Sequence, residues 1–292
     1  MKQLTHILGI TAMLVLAQNC SQNQIGGTQK ATVGTPKTDA LSNPALSAPV
    51  GFDQYWFQGK AEVSTYKIEQ ERYGETRAGT AVTVFVTEDF SDKKQVKLDD
   101  APAAGADRVP ILKLNLVKKY TTGIYDYSML QSVFTPIDWK NRPRSLKTSS
   151  TVQEWCGHVF TQMNLDPKGA SWRLREFSYF EKEGDTDQKL PAAMLEDEIW
   201  TRLRIDPASI PTGVIVLIPA SFYGRLKHEK LRPESAEISL QTIDNQRVVS
   251  IKYKNIARDL SIRFEPESPY RIIGWEENVG GKPACRATLQ AR

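Results

Sequence analysis

The sequence predicts a mainly β protein, a curved, half-barrel-like antiparallel sheet of about ten strands covered by one amphipathic helix. Two observations carry this. Short runs of alternating apolar and polar residues, rich in Val, Ile, Thr and aromatics, recur from Lys60 to Trp275 with Gly, Asp and Asn turns between them. One stretch, between Pro191 and Pro207, places its apolar residues at helical spacing instead.

The first element along the chain is a targeting signal. Met1-Lys2-Gln3 is a short basic start, and Ile7 to Ala17 is an apolar run. The run suits the core of a secretory signal peptide and falls short of the ~20 apolar residues that a membrane-spanning helix needs. Two processing events are open. Cleavage before Cys20 makes that cysteine a lipid-bearing N-terminus. Leu14-Val15-Leu16-Ala17 precedes it as in a bacterial lipoprotein signal, although Asn19 stands where such signals carry a small residue. Cleavage after Ala17 uses Val15 and Ala17 as the small residues that an ordinary signal peptidase prefers. Lipid attachment at Cys20 is the favoured reading, with residues 1–19 as signal peptide. Residues 20–50 are then the lipidated N-terminus and a flexible tether, rich in Ser, Gln, Asn, Gly, Thr, Ala and Pro and without apolar periodicity. About 30 such residues span about 30 Å on average. The expected location is the cell envelope, with the protein anchored in a membrane and facing the periplasm or the cell surface.

Residues 51–278 are expected to form one β-rich domain. Lys60 to Tyr73 alternates, with a slip of phase near Ser64-Thr65 that suggests a bulge. Thr80 to Val86 follows as a β-branched strand and makes a hairpin with it. Further strands are expected at 111–120, 124–134, 149–163, 171–180, 236–243, 247–253, 260–264 and 270–275, with Asp244-Asn245-Gln246 as a turn. The helix is read from Pro191, suited to a first helical position, through the stripe Leu195, Ile199 and Leu203 with Trp200 beside it. Glu196, Asp197 and Glu198 lie early in it and Arg202 and Arg204 late, as the helix dipole favours. Residues 279–292 hold Gly280-Gly281 and Pro283 and few apolar residues, and are expected as a loose C-terminal tail.

The net charge of +4 is small, with basic and acidic residues interleaved, so the clustered footprint of a nucleic-acid binder is absent. Of the three cysteines, lipidation of Cys20 leaves Cys156 and Cys285, which an oxidising envelope permits to pair. No phosphate loop, dinucleotide fingerprint, nucleophile elbow or zincin motif occurs, and no cofactor is expected.

Four blocks carry a likeness to a known family. They are Phe57-Gln58-Gly59-Lys60-Ala61-Glu62, Arg72-Tyr73-Gly74-Glu75, Phe85-Val86-Thr87-Glu88-Asp89-Phe90 and Gln153-Glu154-Trp155-Cys156-Gly157-His158-Val159. Together they resemble a family of uncharacterised bacterial envelope lipoproteins, often labelled "septum formation inhibitor Maf". The resemblance covers most of residues 55–276 and implies an envelope lipoprotein without implying an activity. The Ser-x-Ser-Pro-Arg-Arg motif of true Maf nucleotide pyrophosphatases is absent; the nearest string, Arg142-Pro143-Arg144-Ser145, lies mid-chain. Leu260 to Phe264 and Pro269 to Trp275 are similar to closing strands of LolA-like half-barrels, which fold a curved sheet around a hydrophobic cavity.

Three constellations could carry chemistry. Glu154, Cys156 and His158 share one face if they lie on a single strand, placing an acid, a thiol and an imidazole in line. That arrangement suits an activated nucleophile, or the start of a metal site with His228. The bland alternative is a buried thiol and a hydrogen-bonded wall histidine. Glu88-Asp89 with Asp92, and Asp99-Asp100, read as solvated acidic loops without calcium-loop spacing. The many aromatics, among them Tyr55, Trp56, Tyr66, Tyr73, Tyr120, Tyr125, Trp155, Phe180 and Trp200, either fill a core or line an apolar cavity. The expected function is therefore an envelope lipoprotein that binds an apolar ligand or a protein partner on a curved sheet. The alternatives are a thiol- or metal-dependent enzyme built on Glu154, Cys156 and His158, and a purely structural envelope component.

Overall fold

The computed structural model describes residues 51–291; the signal, Cys20 and the tether lie outside the described residues. The described residues are mainly β, as expected, but form fifteen strands rather than about ten. A short helix, α1 (Phe52–Trp56), leads into β1 (Glu62–Arg72), β2 (Glu75–Ser91), β3 (Arg108–Thr122) and β4 (Tyr125–Pro136). Then follow β5 (Lys147–Glu154), β6 (Gly157–Leu165), β7 (Ser171–Phe177), β8 (Thr186–Pro191) and β9 (Met194–Leu195). Helix α2 (Glu196–Ile205), β10 (Gly213–Ile218) and helix α3 (Ser221–Lys227) come next. β11 (Glu234–Ile243), β12 (Gln246–Tyr253), β13 (Arg258–Phe264), β14 (Ile272–Val279) and β15 (Lys282–Ala291) complete the chain.

All fifteen strands form one sheet, in the order β8-β7-β6-β5-β4-β3-β2-β1-β15-β14-β13-β12-β11-β10-β9. Consecutive hairpins build each half, and pairing is antiparallel except between β9 and β10. The expected hairpin at the start is present, running from Glu62↔Phe85 to Arg72↔Glu75. Tyr73 and Gly74 both take positive φ in its turn, the conformation that tight hairpins require. The slip of phase near Ser64-Thr65 coincides with a register shift between Thr65 and Tyr66 against β15.

The C-terminal segment corrects the sequence reading. Residues 279–292 are not a loose tail: β15 pairs with β14 on one side and with β1 on the other, joining the two halves of the sheet. Gly280-Gly281 is the β14–β15 turn, with both residues at positive φ. The buried residues of β15, Ala284, Cys285 and Ala287, are all small, so they leave little hydrophobic signal.

The helix also differs from its expected form. Pro191 closes β8 rather than opening the helix, consistent with its missing N–H at the end of an edge strand. α2 begins at Glu196 and is ten residues long. That is about 15 Å, yet its side chains reach Thr135 on β4, Glu62 on β1, Arg258 on β13 and Tyr253 on β12. β4 and β12 stand seven places apart in the sheet order, about 33 Å in a flat sheet. The sheet therefore curves around α2. Every residue of the helix is buried, its charged residues as well as Ile199, Trp200 and Leu203. The concave side is filled by this helix and by a core that includes Trp56, Tyr66, Phe85, Phe264 and Trp275.

The sheet does not close by hydrogen bonds. Its two edge strands, β8 and β9, are separated in sequence by Ala192 and Ala193 alone. The seam between them is sealed by packing: Met163, Trp172, Leu174 and Leu190 from one side meet Leu195, Ile218 and Leu231 from the other. The Trp172 indole N–H donates to the Ala193 carbonyl at 2.9 Å. No helix among the described residues is long and apolar enough to cross a membrane.

Candidate functional site

Where the β6–β8 flank faces α3, a cavity of about 530 Å³ opens, lined by Val159, Thr161, Glu176, Phe180, Arg225 and His228 among others. α3 is held in place from β1 and from α2. Arg72 on β1 donates to the Leu226 carbonyl at 2.7 Å, and Lys227 pairs with Glu71 at 3.0 Å. Asp197 on α2 accepts from the Ser221 N–H at 3.3 Å and its hydroxyl at 2.9 Å, anchoring the first turn. Burial, first, and the neighbouring Glu196 carboxylate push the Asp197 carboxyl up to about 6.

The exit from α3 is tight. His228 takes positive φ as the helix ends, and the Glu229 N–H turns back to the Gly224 carbonyl at 2.8 Å. A β-carbon at Gly224 would stand 2.8 Å from the Leu231 side chain and 3.1 Å from the Glu229 carbonyl oxygen, so a larger residue there would have to displace Leu231.

Arg225 is the centre of the site. Its side chain is 3% exposed and that of Glu154, its ion-pair partner, 2%. The pair is long, 3.6 Å, against the ~2.7–2.9 Å of a charge-assisted hydrogen bond. The guanidinium lies 4.3 Å from the centre of the Phe180 ring, and its Nη1 is 3.5 Å from His228 Nε2. Its Nε–H is buried with no hydrogen-bond partner among the described residues. His228 Nδ1 meets Glu183 Oε1 at 2.5 Å, and Phe180 packs edge-on against the imidazole. Nδ1–H donating to Glu183, with Nε2 accepting from Arg225, satisfies both contacts in one tautomer. Burial, first, and the nearby Glu183 raise the Glu176 carboxyl above its ordinary range.

The three residues singled out from sequence do not share a face. A hairpin turn at Trp155-Cys156 interrupts the run, so Glu154 opposes Gly157 and Gln153 opposes His158. Glu154 points inward, while Cys156 and His158 are exposed. The alternation rule required one continuous strand, and the chain reverses instead. Glu154 accepts from the Cys156 backbone N–H at 3.1 Å. Hydrogen bonding to Glu154 and its charge raise the Cys156 thiol, the direction opposite to activation. The imidazole of His158 contacts the Thr151 hydroxyl. Cys285 is buried in β15, 3.5 Å from Lys118 Nζ, and both described cysteines are free thiols.

The acidic residues at the end of β2 and just beyond it form ion pairs: Glu88 with Lys113 at 3.0 Å, Asp89 with Arg108 at 2.7 Å and, past the strand, Asp92 with Arg142 at 2.9 Å. No three His, Cys, Asp or Glu side chains among the described residues gather to hold a metal ion. The aromatics divide. Trp56, Tyr66, Tyr120, Tyr127, Trp172 and Trp200 are core, whereas Tyr73, Trp155 and Tyr179 are exposed at hairpin ends and Phe180 lines the cavity. Sequence reasoning missed Arg225 and Glu183. The only available signal was the short Ser221–Lys227 segment beside His228, too brief to show helical periodicity.

No protein-family model matches the chain, and no curated protein is significantly similar to it. The resemblance to envelope lipoproteins thus rests on its residue blocks alone. Among solved structures, the chain is similar to a beta-barrel-like protein of the domain of unknown function DUF1849 from Brucella abortus. The identity is 9% and the TM-score 0.47, over 78% of this chain and 95% of that one.

Proposed function

We propose that the protein is an exported, lipid-anchored binding protein of the bacterial envelope that takes a small anionic amphiphile into the seam cavity. The observation that carries this reading is Arg225, a buried guanidinium lining the cavity with one N–H unpartnered and its carboxylate partner at 3.6 Å. A buried donor without an acceptor is costly, and a ligand carboxylate or phosphate would supply the missing acceptor. Phe180, Val159 and Leu231 offer apolar surface for the rest of the molecule. The cavity volume, about 530 Å³, falls in the range of small-molecule sites. The lipid anchor at Cys20 and the tether are part of this proposal and agree with an envelope setting. The ligand is expected on the curved sheet; the concave face is filled by α2, so the reading places it at the seam. A thiol enzyme built on Glu154, Cys156 and His158 gains no support from this geometry.

The full chain should be purified without detergent and examined by native mass spectrometry, then titrated with the fluorescent fatty acid cis-parinaric acid. Arg225→Met is expected to weaken probe binding by about tenfold or more while leaving the circular dichroism spectrum intact. Absence of saturable binding, or equal binding by a folded Arg225→Met protein, overturns the proposal.

A further inference from the structure

β10 has an uncovered edge. On one side it pairs with β11 from Gly213↔Ile238 to Leu217↔Glu234. On the other it meets β9 at Leu217 and Ile218 only, because β9 is two residues long. Along Gly213–Val216 that second side carries no strand among the described residues. Alternate residues of a ladder turn both N–H and C=O toward the same neighbour, so two of these four residues direct their backbone groups outward. Val214 is 66% and Val216 53% exposed. The edge lacks the lysine, proline or bulge that ordinarily protects such a strand, and its register with β11 is unbroken.

Beside this edge lies a second cavity, about 460 Å³, lined by Arg144, Met194, Arg202, Ser209, Ile215 and Val216 among others. Two cations line it, Arg144 and Arg202; among the described residues neither has a carboxylate in direct contact, and the charge of the buried Glu198 carboxylate acts on both from farther away. Arg144 donates to the adjacent Pro143 carbonyl. Arg202 is buried and donates to neutral groups, the Ser209 carbonyl at 2.5 Å and hydroxyl at 3.4 Å and the Pro143 carbonyl at 3.4 Å.

We infer that the β10 edge binds an extended, acidic-apolar peptide segment of a partner protein by strand addition. The peptide backbone pairs with Gly213–Val216. Side chains of the added strand pack beside Val214 and Val216, and an Asp or Glu among them reaches the cavity, where it pairs with Arg144 and Arg202. Charge decides the occupant: β10 has no acidic residue, so self-pairing of its Gly-Val-Ile-Val edge would bring no β10 carboxylate to these arginines.

The test is fluorescence anisotropy of the full chain with a short labelled peptide of alternating Val and Ser carrying one central Glu. Saturable binding is expected, weakened by about tenfold or more when the peptide Glu is replaced by Lys or when the protein carries Arg144→Glu. Val214→Lys, which leaves both arginines in place, should weaken both peptides by protecting the edge. Binding that ignores Arg144→Glu and Val214→Lys, or no saturable binding, overturns the inference. So does a dimer in sedimentation velocity that Val214→Lys dissolves, since a second copy would then occupy the edge. Retained cis-parinaric acid binding by these variants separates this site from the seam cavity.

Discussion

Arg225 and Asp197 are both polar groups that the fold buries beside α3, and each buried group has a measurable consequence. The ordinary Asp value of 3.8 is raised to about 6 at Asp197. Folding therefore favours the protonated acid. The stability this group contributes is complete below its unfolded value, near 4, and is lost as pH climbs through about 6. Asp197→Asn keeps an acceptor for Ser221 and removes the charge. It is expected to stabilise the protein at pH 8 by on the order of 3 kcal/mol and to match the parent at pH 4. Urea unfolding at the two pH values checks this; no gain at pH 8 contradicts it. Legibility at this scale was partial. Glu154 stood out in the sequence because a thiol and an imidazole lie nearby, but its inward partner is Arg225, on a helix reached only after several more strands. Spacing rules see neighbours along one element. They could not find a pair made by the ends of two.

At the scale of elements, the missed strands have identifiable causes. β8 is Thr-Asp-Gln-Lys-Leu-Pro, whose exposed polar residues hide its alternation, and β9 is two residues long. β10, Gly-Val-Ile-Val-Leu-Ile, is a short apolar run without alternation. β5 and β6 read as one strand because Trp155-Cys156 contains none of the usual turn residues. β15 was hidden by its glycine turn and small buried residues. Its placement makes a sharp prediction. A true tail could be removed without loss, whereas a chain ending at Gly281 exposes the facing edges of β1 and β14 and uncovers the two sheet halves where Tyr66 packs at a tilt against Trp275, 4.9 Å between ring centres. Such a truncation is expected to abolish cooperative thermal unfolding as followed by far-ultraviolet circular dichroism. A parent-like melting transition would return residues 282–291 to the status of a tail.

At the scale of the whole molecule, curvature and a covering helix were legible, because periodicity reports local structure. The junction was not: β1 pairs with β15 across nearly the full described chain, and nothing in either strand names the other. What holds the wrapped sheet is also unlike the interior expected from an amphipathic helix. α2 sends charged and polar side chains in every direction. Arg204 grips Glu62 of β1 at 2.6 and 2.7 Å, Glu196 accepts from Arg258 of β13 at 2.7 Å, and Glu198 accepts from the Ser145 N–H ahead of β5 at 2.6 Å. The helix thus links strands that belong to opposite halves of the sheet. Removing one member of such a buried pair leaves the other charge uncompensated, which costs about 3–5 kcal/mol. Arg258→Met should therefore lower global stability by about that amount while retaining much of the arginine's apolar volume. Native-state hydrogen exchange can tell a hub from a local clasp. If α2 couples the halves, amides of β3–β5 lose protection by the same factor as those of β12–β14. A loss confined to β12–β14 would mean that Arg258 and Glu196 secure only their own flank, and that the two halves are held together by β15 alone.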